Sequence, residues 1–144
     1  MRLLDCADQD IDYIGGKLME YNYSQAPRTQ ERDFIPIHKK LVDEDGRIVA
    51  GCIAEIYCWH IAAIDILWVD ERCRRRGTGG MLLREVERIA AEAGCTLIHL
   101  DTFDFQAKDF YLKQGYEIFG VLEECPEGHC RYYLKKRLGQ RADP

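Results

Sequence analysis

The sequence predicts an α/β fold, a mixed sheet of the α+β kind flanked by helices, and three observations predict it. Asp43-Glu44-Asp45-Gly46 separates two apolar runs, and an Asp-Gly pair in that setting signals a β-hairpin. The apolar run ending at Val69 passes through a glycine-rich turn into an amphipathic segment over residues 78–93, the pattern of a helix with one buried face. Two further segments, Tyr116 to Glu123 and Arg131 to Lys136, close the chain as another hairpin. With 144 residues and 47% hydrophobic content, one domain over residues 1–144 is expected, large enough to bury most of its apolar surface.

Each element follows from its own pattern. Ile11, Ile14, Leu18 and Tyr21 recur at helical spacing, so Ile11 to Tyr23 is expected to be a helix despite the weak point at Gly15-Gly16. The polar segment 25–32, with Pro27, reads as a loop. Ile35 to Leu41 and Ile48 to Cys58 are the arms of the first hairpin, and Ala62 to Val69 is a third strand. Neither Gly nor Pro marks the connection through Cys58-Trp59-His60. From Thr78 to Ala93, Leu82, Leu83, Val86, Ile89 and Ala90 form one stripe opposite Arg84, Glu85, Glu87, Arg88 and Glu92, and Gly94 ends the helix. Cys95 to Leu100 reads as a buried strand and Gln106 to Gln114 as a short helix stopped by Gly115.

Composition excludes several classes of function. A net charge of -5 argues against a nucleic-acid partner, and no apolar stretch is long enough for a membrane span. The first residues lack the apolar core of a signal peptide, so a cytoplasmic protein with reduced thiols is expected from its seven scattered cysteines. Cys125, His129 and Cys130 offer too few ligands for a tetrahedral metal site; they are read as a turn, and no metal is expected. Positive charge is concentrated at Arg72 to Arg76, which suits a polyanion, and at Lys135 to Arg137, which reads as the solvated end of the last strand.

Arg74, Arg75, Arg76, Gly77, Thr78, Gly79 and Gly80, between a strand and a helix, outline a phosphate-binding turn. The first N–H groups of a helix have no partner within it, and the macrodipole favours negative charge there. Glycine at 77 and 79 removes the Cβ atoms that would keep a diphosphate off the backbone, and the arginines supply bidentate donors. A nucleotide-hydrolysing P-loop would need Gly-Lys-Ser/Thr, whereas Gly79 is followed by Gly80-Met81. A Rossmann-like dinucleotide turn remains an alternative. Asp101 stands in about the right register for it, but Leu82 occupies its third glycine position and the turn follows a hairpin rather than opening a βαβ unit.

The stretch Leu67 to Leu83 resembles the GNAT superfamily of acyl-CoA N-acyltransferases, with Arg74, Gly77 and Gly79 at the three defined positions of the Arg/Gln-x-x-Gly-x-Gly/Ala signature. A second segment, Ala107-x-x-Phe110-Tyr111-x-x-x-Gly115-Tyr116, resembles the family's later helix and turn. Both motifs lie within residues 60–137. The resemblance implies a central, mostly antiparallel sheet flanked by helices and acetyl-CoA as cosubstrate. It further implies that Leu67, Trp68, Val69, Arg74 to Gly80 and Tyr111 hold the coenzyme, with backbone groups of Leu67 and Val69 pairing with pantetheine. The family's Asn three residues before Ala107 is here Asp104.

Acyl transfer from a thioester to an amine needs a neutral amine, a stabilised oxyanion and a protonated leaving thiolate. An alkylamine with a pKa near 10.4 is neutral about one part in a thousand at pH 7.4, equivalent to roughly 4 kcal/mol, so a proton acceptor matters. Where the family often carries a Glu, this chain has Ala63. Asp65, two residues on and on the same face of a regular strand, is the first candidate base, followed by Glu55, His60 and His99. By resemblance, Tyr111 acts on the departing thiolate. The acceptor implied is a primary amine of a small molecule or peptide, and a homodimer is compatible with this. Glu20, Tyr21, Tyr23, Glu55, Tyr57 and Trp59 would suit a cationic amine, while Glu31 and Asp33 read equally well as loop charges. The rival class is a non-catalytic acyl-CoA-binding sensor or interaction module.

Overall fold

A computed structural model of the chain describes residues 1–139. In order it forms α1 (Asp8–Gln25), β1 (Phe34–Pro36), β2 (Lys39–Val42), β3 (Ile48–Tyr57), β4 (Ile61–Val69), a 3₁₀ turn (Glu71–Cys73), α2 (Thr78–Glu92), β5 (Leu97–Phe103), α3 (Lys108–Lys113), β6 (Glu117–Glu123) and β7 (Cys130–Arg137). The seven strands make one sheet in the order β1-β3-β4-β5-β7-β6, with β2 beside β1 on the same edge of β3. Every pairing is antiparallel except β4 with β5.

The parallel pair is joined through α2, so the glycine turn does open a βαβ unit, against the sequence expectation. The expected strand over 35–41 is two short strands. Pro36 lacks an N–H for the ladder and ends β1, after which Ile37 N–H still reaches the Ala54 carbonyl at 2.8 Å. The turn from β3 to β4 needs no glycine because Cys58 and His60 take φ of 43° and 55°. Hydrogen bonds from the Trp59 indole to the Ala26 carbonyl (2.8 Å) and between Thr29 and His60 Nδ1 (2.8 Å) hold this strained corner.

The core lies between α2 and one face of the sheet. Leu82, Leu83, Val86 and Ala90 pack there with Ala50, Cys52, Ala54 and Ile56 of β3 and Ile64 and Ile98 of β4 and β5. Glu87, expected on the solvent side of α2, is buried. Lys136 bonds it at 2.8 and 3.0 Å and the Gln114 carbonyl at 2.9 Å, so Lys136 fastens α2 to β7 rather than ending a solvated strand.

The first helix forms as its period predicts, but its apolar stripe packs on nothing. No residue of α1 is buried, and Ile11, Ile14, Leu18 and Tyr21 are all exposed. No helix among the described residues is long and apolar enough to cross a membrane.

Candidate active site

The site begins where two strands part. β4 and β5 pair only from Ile61 to Ile64 against Leu97 to Leu100, although both run on. Beyond that point β5 stays with β7 as far as Phe103, whereas β4 stays with β3 as far as Val69. A β-bulge marks the divergence. Ala54 pairs with Ile64 and Ile53 with Ile66, leaving Asp65 as the extra residue. A bulge bends its strand and resets the alternation. Ala62 and Ile64 face the core before it, and Leu67 and Val69 after it.

The gap between the strands is a cleft of about 700 Å³. β4 supplies one wall, from Ile64 to Val69. Asp70 N–H bonds the Val49 carbonyl at 2.8 Å, so by the two-residue alternation of an antiparallel ladder the backbone groups of Leu67 and Val69 point away from β3, into the cleft. Arg74 Nε bonds the Val69 carbonyl at 3.0 Å.

The glycine turn closes one end. Gly77 takes φ 79° at the N-cap of α2, and the first intrahelical bond runs from Met81 N–H to the Gly77 carbonyl at 3.0 Å. The N–H groups of Thr78, Gly79 and Gly80 precede it and have no helical acceptor. The first turn of α2 contains no acid, so its positive end is not neutralised from within. Arg74 and Arg75 line the cleft with Gly77, Thr78, Gly79 and Gly80, and so does Arg84, one turn further along α2. Arg76 does not line it.

Tyr111 of α3 stands at the opposite wall, buried, its ring 5.1 Å from Phe110 and 5.5 Å from Tyr116. Burial, reinforced by Cys52 and Asp101, pushes its phenol well above the ordinary 10, so it keeps its proton at any physiological pH. The loop before α3 is fixed by Gln106, whose carbonyl oxygen accepts from Phe103 N–H (2.9 Å) and Thr102 Oγ1 (3.2 Å). Asp104 is turned elsewhere, to His129 Nδ1 (2.9 Å) and Cys130 N–H (3.0 Å), where it ties down the turn between β6 and β7.

A second cavity of about 300 Å³ adjoins the cleft, lined by His38, Ile53, Glu55, Ala63, Asp65, His99 and Asp101 among others. Ile64, Asp65, Leu100 and Asp101 border both spaces. Asp65 and Ala63 thus share this cavity, as expected, and the bulge at Asp65 carries its side chain to the cleft as well. His99 Nε2 lies 2.7 Å from the Tyr57 hydroxyl, and burial holds its imidazole below the ordinary 6.5, hence neutral at pH 7. Asp101 is held by Arg131 at 2.7 and 2.8 Å.

Other expected residues fall elsewhere. His60 sits in the β3–β4 turn, away from both cavities, so it drops from the candidate bases. Glu20 pairs with Lys17 on exposed α1, and Tyr23 bonds Asp33 at 2.5 Å. Only Glu55 of the acidic and aromatic residues expected around the acceptor lines the second cavity, with Tyr57 beside it through His99. Arg84, His38 and the position of Asp101 between the two cavities were not picked out by the sequence, because nothing in their local patterns marks a cavity wall.

Residues 8–116 match the model of the acetyltransferase (GNAT) family. Blasticidin-S acetyltransferase of Streptomyces morookaense is 33% identical over 96 residues, covering 66% of this chain and 70% of that protein. A crystal structure of an acetyltransferase from Bacillus cereus is 38% identical and superimposes with a TM-score of 0.89 over 96% of this chain and 98% of that one. An aminoglycoside 6'-N-acetyltransferase complexed with coenzyme A, 17% identical, shares the fold with a TM-score of 0.67 over 99% of this chain and 100% of that one.

Proposed function

The chain belongs to the acetyltransferase (GNAT) family of acetyl-CoA-dependent N-acetyltransferases, and from that premise we propose that it acetylates the primary amine of a small cationic molecule at the junction of the two cavities. The observation that carries this reading is Asp65 at the bulge, bordering both spaces. The blasticidin-S relative supports a small-molecule acceptor.

The glycine turn and Arg74, Arg75 and Arg84 take the diphosphate by N–H donation, dipole and charge. Leu67 and Val69 offer their backbone groups to pantetheine as an added strand would, and a cleft-facing N–H at this point stabilises the oxyanion. The carboxylates of Glu55, Asp65 and Asp101 attract the ammonium form of the acceptor. Asp65 takes its proton, directly or through water, and the free amine attacks the thioester carbonyl. Neutral His99 is a second acceptor of protons on the same wall. The C–N bond forms as the C–S bond breaks, and the extra proton on the acylated nitrogen passes through His99 or solvent and ends on the departing thiolate. Tyr111, kept protonated by burial, donates a hydrogen bond to that sulfur. Full proton transfer from so weak an acid to a thiolate is uphill, so stabilisation of the leaving group is its role.

Acetyl-CoA should raise the melting temperature while NADH and ATP do not, because a ligand specific for the native state stabilises it and this turn lacks the Gly-Lys-Ser/Thr of a Mg²⁺-nucleotide site. Asp65→Asn should shift the alkaline-rising limb of the pH–rate profile upward, leaving turnover dependent on amine that is already neutral. An unchanged profile removes Asp65 as the base. A shift with NADH alone would instead favour a dinucleotide site.

A further inference from the structure

Two surfaces of this chain lack the partner that their composition requires. One is α1, whose stripe of Ile11, Ile14, Leu18 and Tyr21 is 56–63% exposed. The other is the sheet face opposite α2. Ile53, which alternates with core residues Cys52 and Ala54, pairs with Ile66 in register, and Trp68 pairs two residues along. These three side chains, with Phe119 at the far end beside Tyr133, are 38–54% exposed on that face. A helix with an apolar stripe needs a surface, and a sheet with an apolar face needs a helix.

The chain's own α1 is held away from its own sheet. Thr29 N–H bonds the Cys58 carbonyl (3.1 Å), Cys58 N–H bonds the Asp33 carbonyl (2.8 Å), and Gln30 Nε2 bonds the Ile56 carbonyl (3.1 Å). With the Trp59 and Tyr23 bonds, these pin the loop after α1 to the β3–β4 turn, so the helix leaves the molecule from that corner.

We infer that a second copy of this chain supplies the missing cover: the two α1 helices exchange, each lying on the bare sheet face of the other about a two-fold axis. Such an exchange is closed and self-complementary. It hides two helix stripes and two sheet faces at once; a stable interface buries roughly 1,200–2,000 Å². The polar side of α1 carries Asp8, Asp10, Asp12 and Glu20 against a single Lys17; on the sheet face Arg131 and Lys135 are already paired with Asp101 and Glu117, Glu55 and Asp65 stand beside them, and Lys40 is the cation left for the helix to meet. The same acidity disfavours an anionic lipid surface as the occupant. Because the cavity around Glu55 and His99 opens on this face, the partner's helix roofs the acceptor site; that part rests on the proposed function, whereas the assembly itself does not.

Light scattering of the full chain should give twice the 16.7 kDa of one copy. Leu18→Glu should return it to the mass of one copy with its helical circular dichroism kept. Val121→Glu, at an exposed position of β6 outside the stripe and the bare face, should stay dimeric. Should Leu18→Glu fail to fold, hydrogen exchange of the unaltered protein still decides: α1 amides should be protected at high concentration and lose protection on dilution. In the Leu18→Glu monomer the acceptor KM should rise at least tenfold, more than acetyl-CoA affinity falls, although Ile66 and Trp68 also edge the coenzyme cleft. A KM that does not move overturns the roof alone. A protein of one-copy mass at every concentration, a dimer that survives Leu18→Glu, or capture of the chain by phosphatidylserine-containing vesicles overturns the exchange.

Discussion

Helices α1 and α2 have the same period and opposite fates. α2 buries Leu82, Leu83, Val86 and Ala90, while the matching stripe of α1 stands in solvent. Their N-termini differ as much. The first turn of α1 holds Asp8 and Asp10, and Asp10 closes back on Ala7 N–H at 2.8 Å, so its positive end is neutralised from within. The first turn of α2 is Thr78-Gly79-Gly80, with no acid and no side-chain cap, and its donors are left for a ligand. Period alone says that a face must be covered; the terminal residues say whether the end is finished. One helix is complete at its end and open along its side, and the other the reverse.

The largest effect should come from finishing the end of α2 as α1 is finished. Gly79→Asp puts a carboxylate where a diphosphate is proposed to sit and should weaken acetyl-CoA binding at least a thousandfold by calorimetry. Its Cβ would meet Phe110 and Val69 at 3.4 Å, an ordinary contact, so the circular dichroism should be unchanged. Retained affinity would break the contrast between the two N-termini.

Next comes the side of the helix. Leu83 is fully buried, so Leu83→Ala should cost about 2–5 kcal/mol in urea unfolding. Leu18→Ala, measured on the dissociated chain, should stay within about 0.5 kcal/mol of the unaltered protein. Equal costs would mean that α1 packs on its own domain.

At the site, Tyr111→Phe should lower turnover roughly ten- to a thousandfold with little change in acetyl-CoA affinity, since the ring that packs on Phe110 and Tyr116 remains. Steady-state and binding measurements on the same preparation check this. An unchanged turnover would make Tyr111 a packing residue.

The smallest effect is a pH dependence. His99 is held below its ordinary 6.5 in the folded protein, so the unfolded chain takes up its proton first as the pH falls. Stability should be fully present above about pH 6.5 and decline below it, and His99→Gln should flatten that decline in thermal melts. A parallel decline in both proteins would assign it to other groups.

What the sequence made legible was what local pattern encodes. The Asp-Gly turn, the glycine turn before α2 and the stripe from Leu82 to Ala90 each carry their own signal, and the expected cleft residues other than Arg76 meet in one place. What escaped is set by neighbours. The bulge at Asp65 exists because β4 leaves β5 there, and an Asp between two isoleucines does not announce it. Cys58 and His60 adopt positive φ because the loop after α1 holds them. Glu87 reads as a solvent residue until Lys136 arrives from a strand 49 positions away. The stripe on α1 was legible as a helical period, but a period does not say what, if anything, covers the face.

Amine-dependent acetyl transfer at the junction marked by Asp65 can be read from steady-state thiol release from acetyl-CoA across a panel of small cationic amines. We predict saturable release that requires the amine, yields the N-acetylated acceptor by mass spectrometry, and falls in Asp65→Asn with acetyl-CoA affinity preserved. Stabilisation by acetyl-CoA with no release for any amine in the panel would contradict it, leaving a fold and a coenzyme site without the transfer.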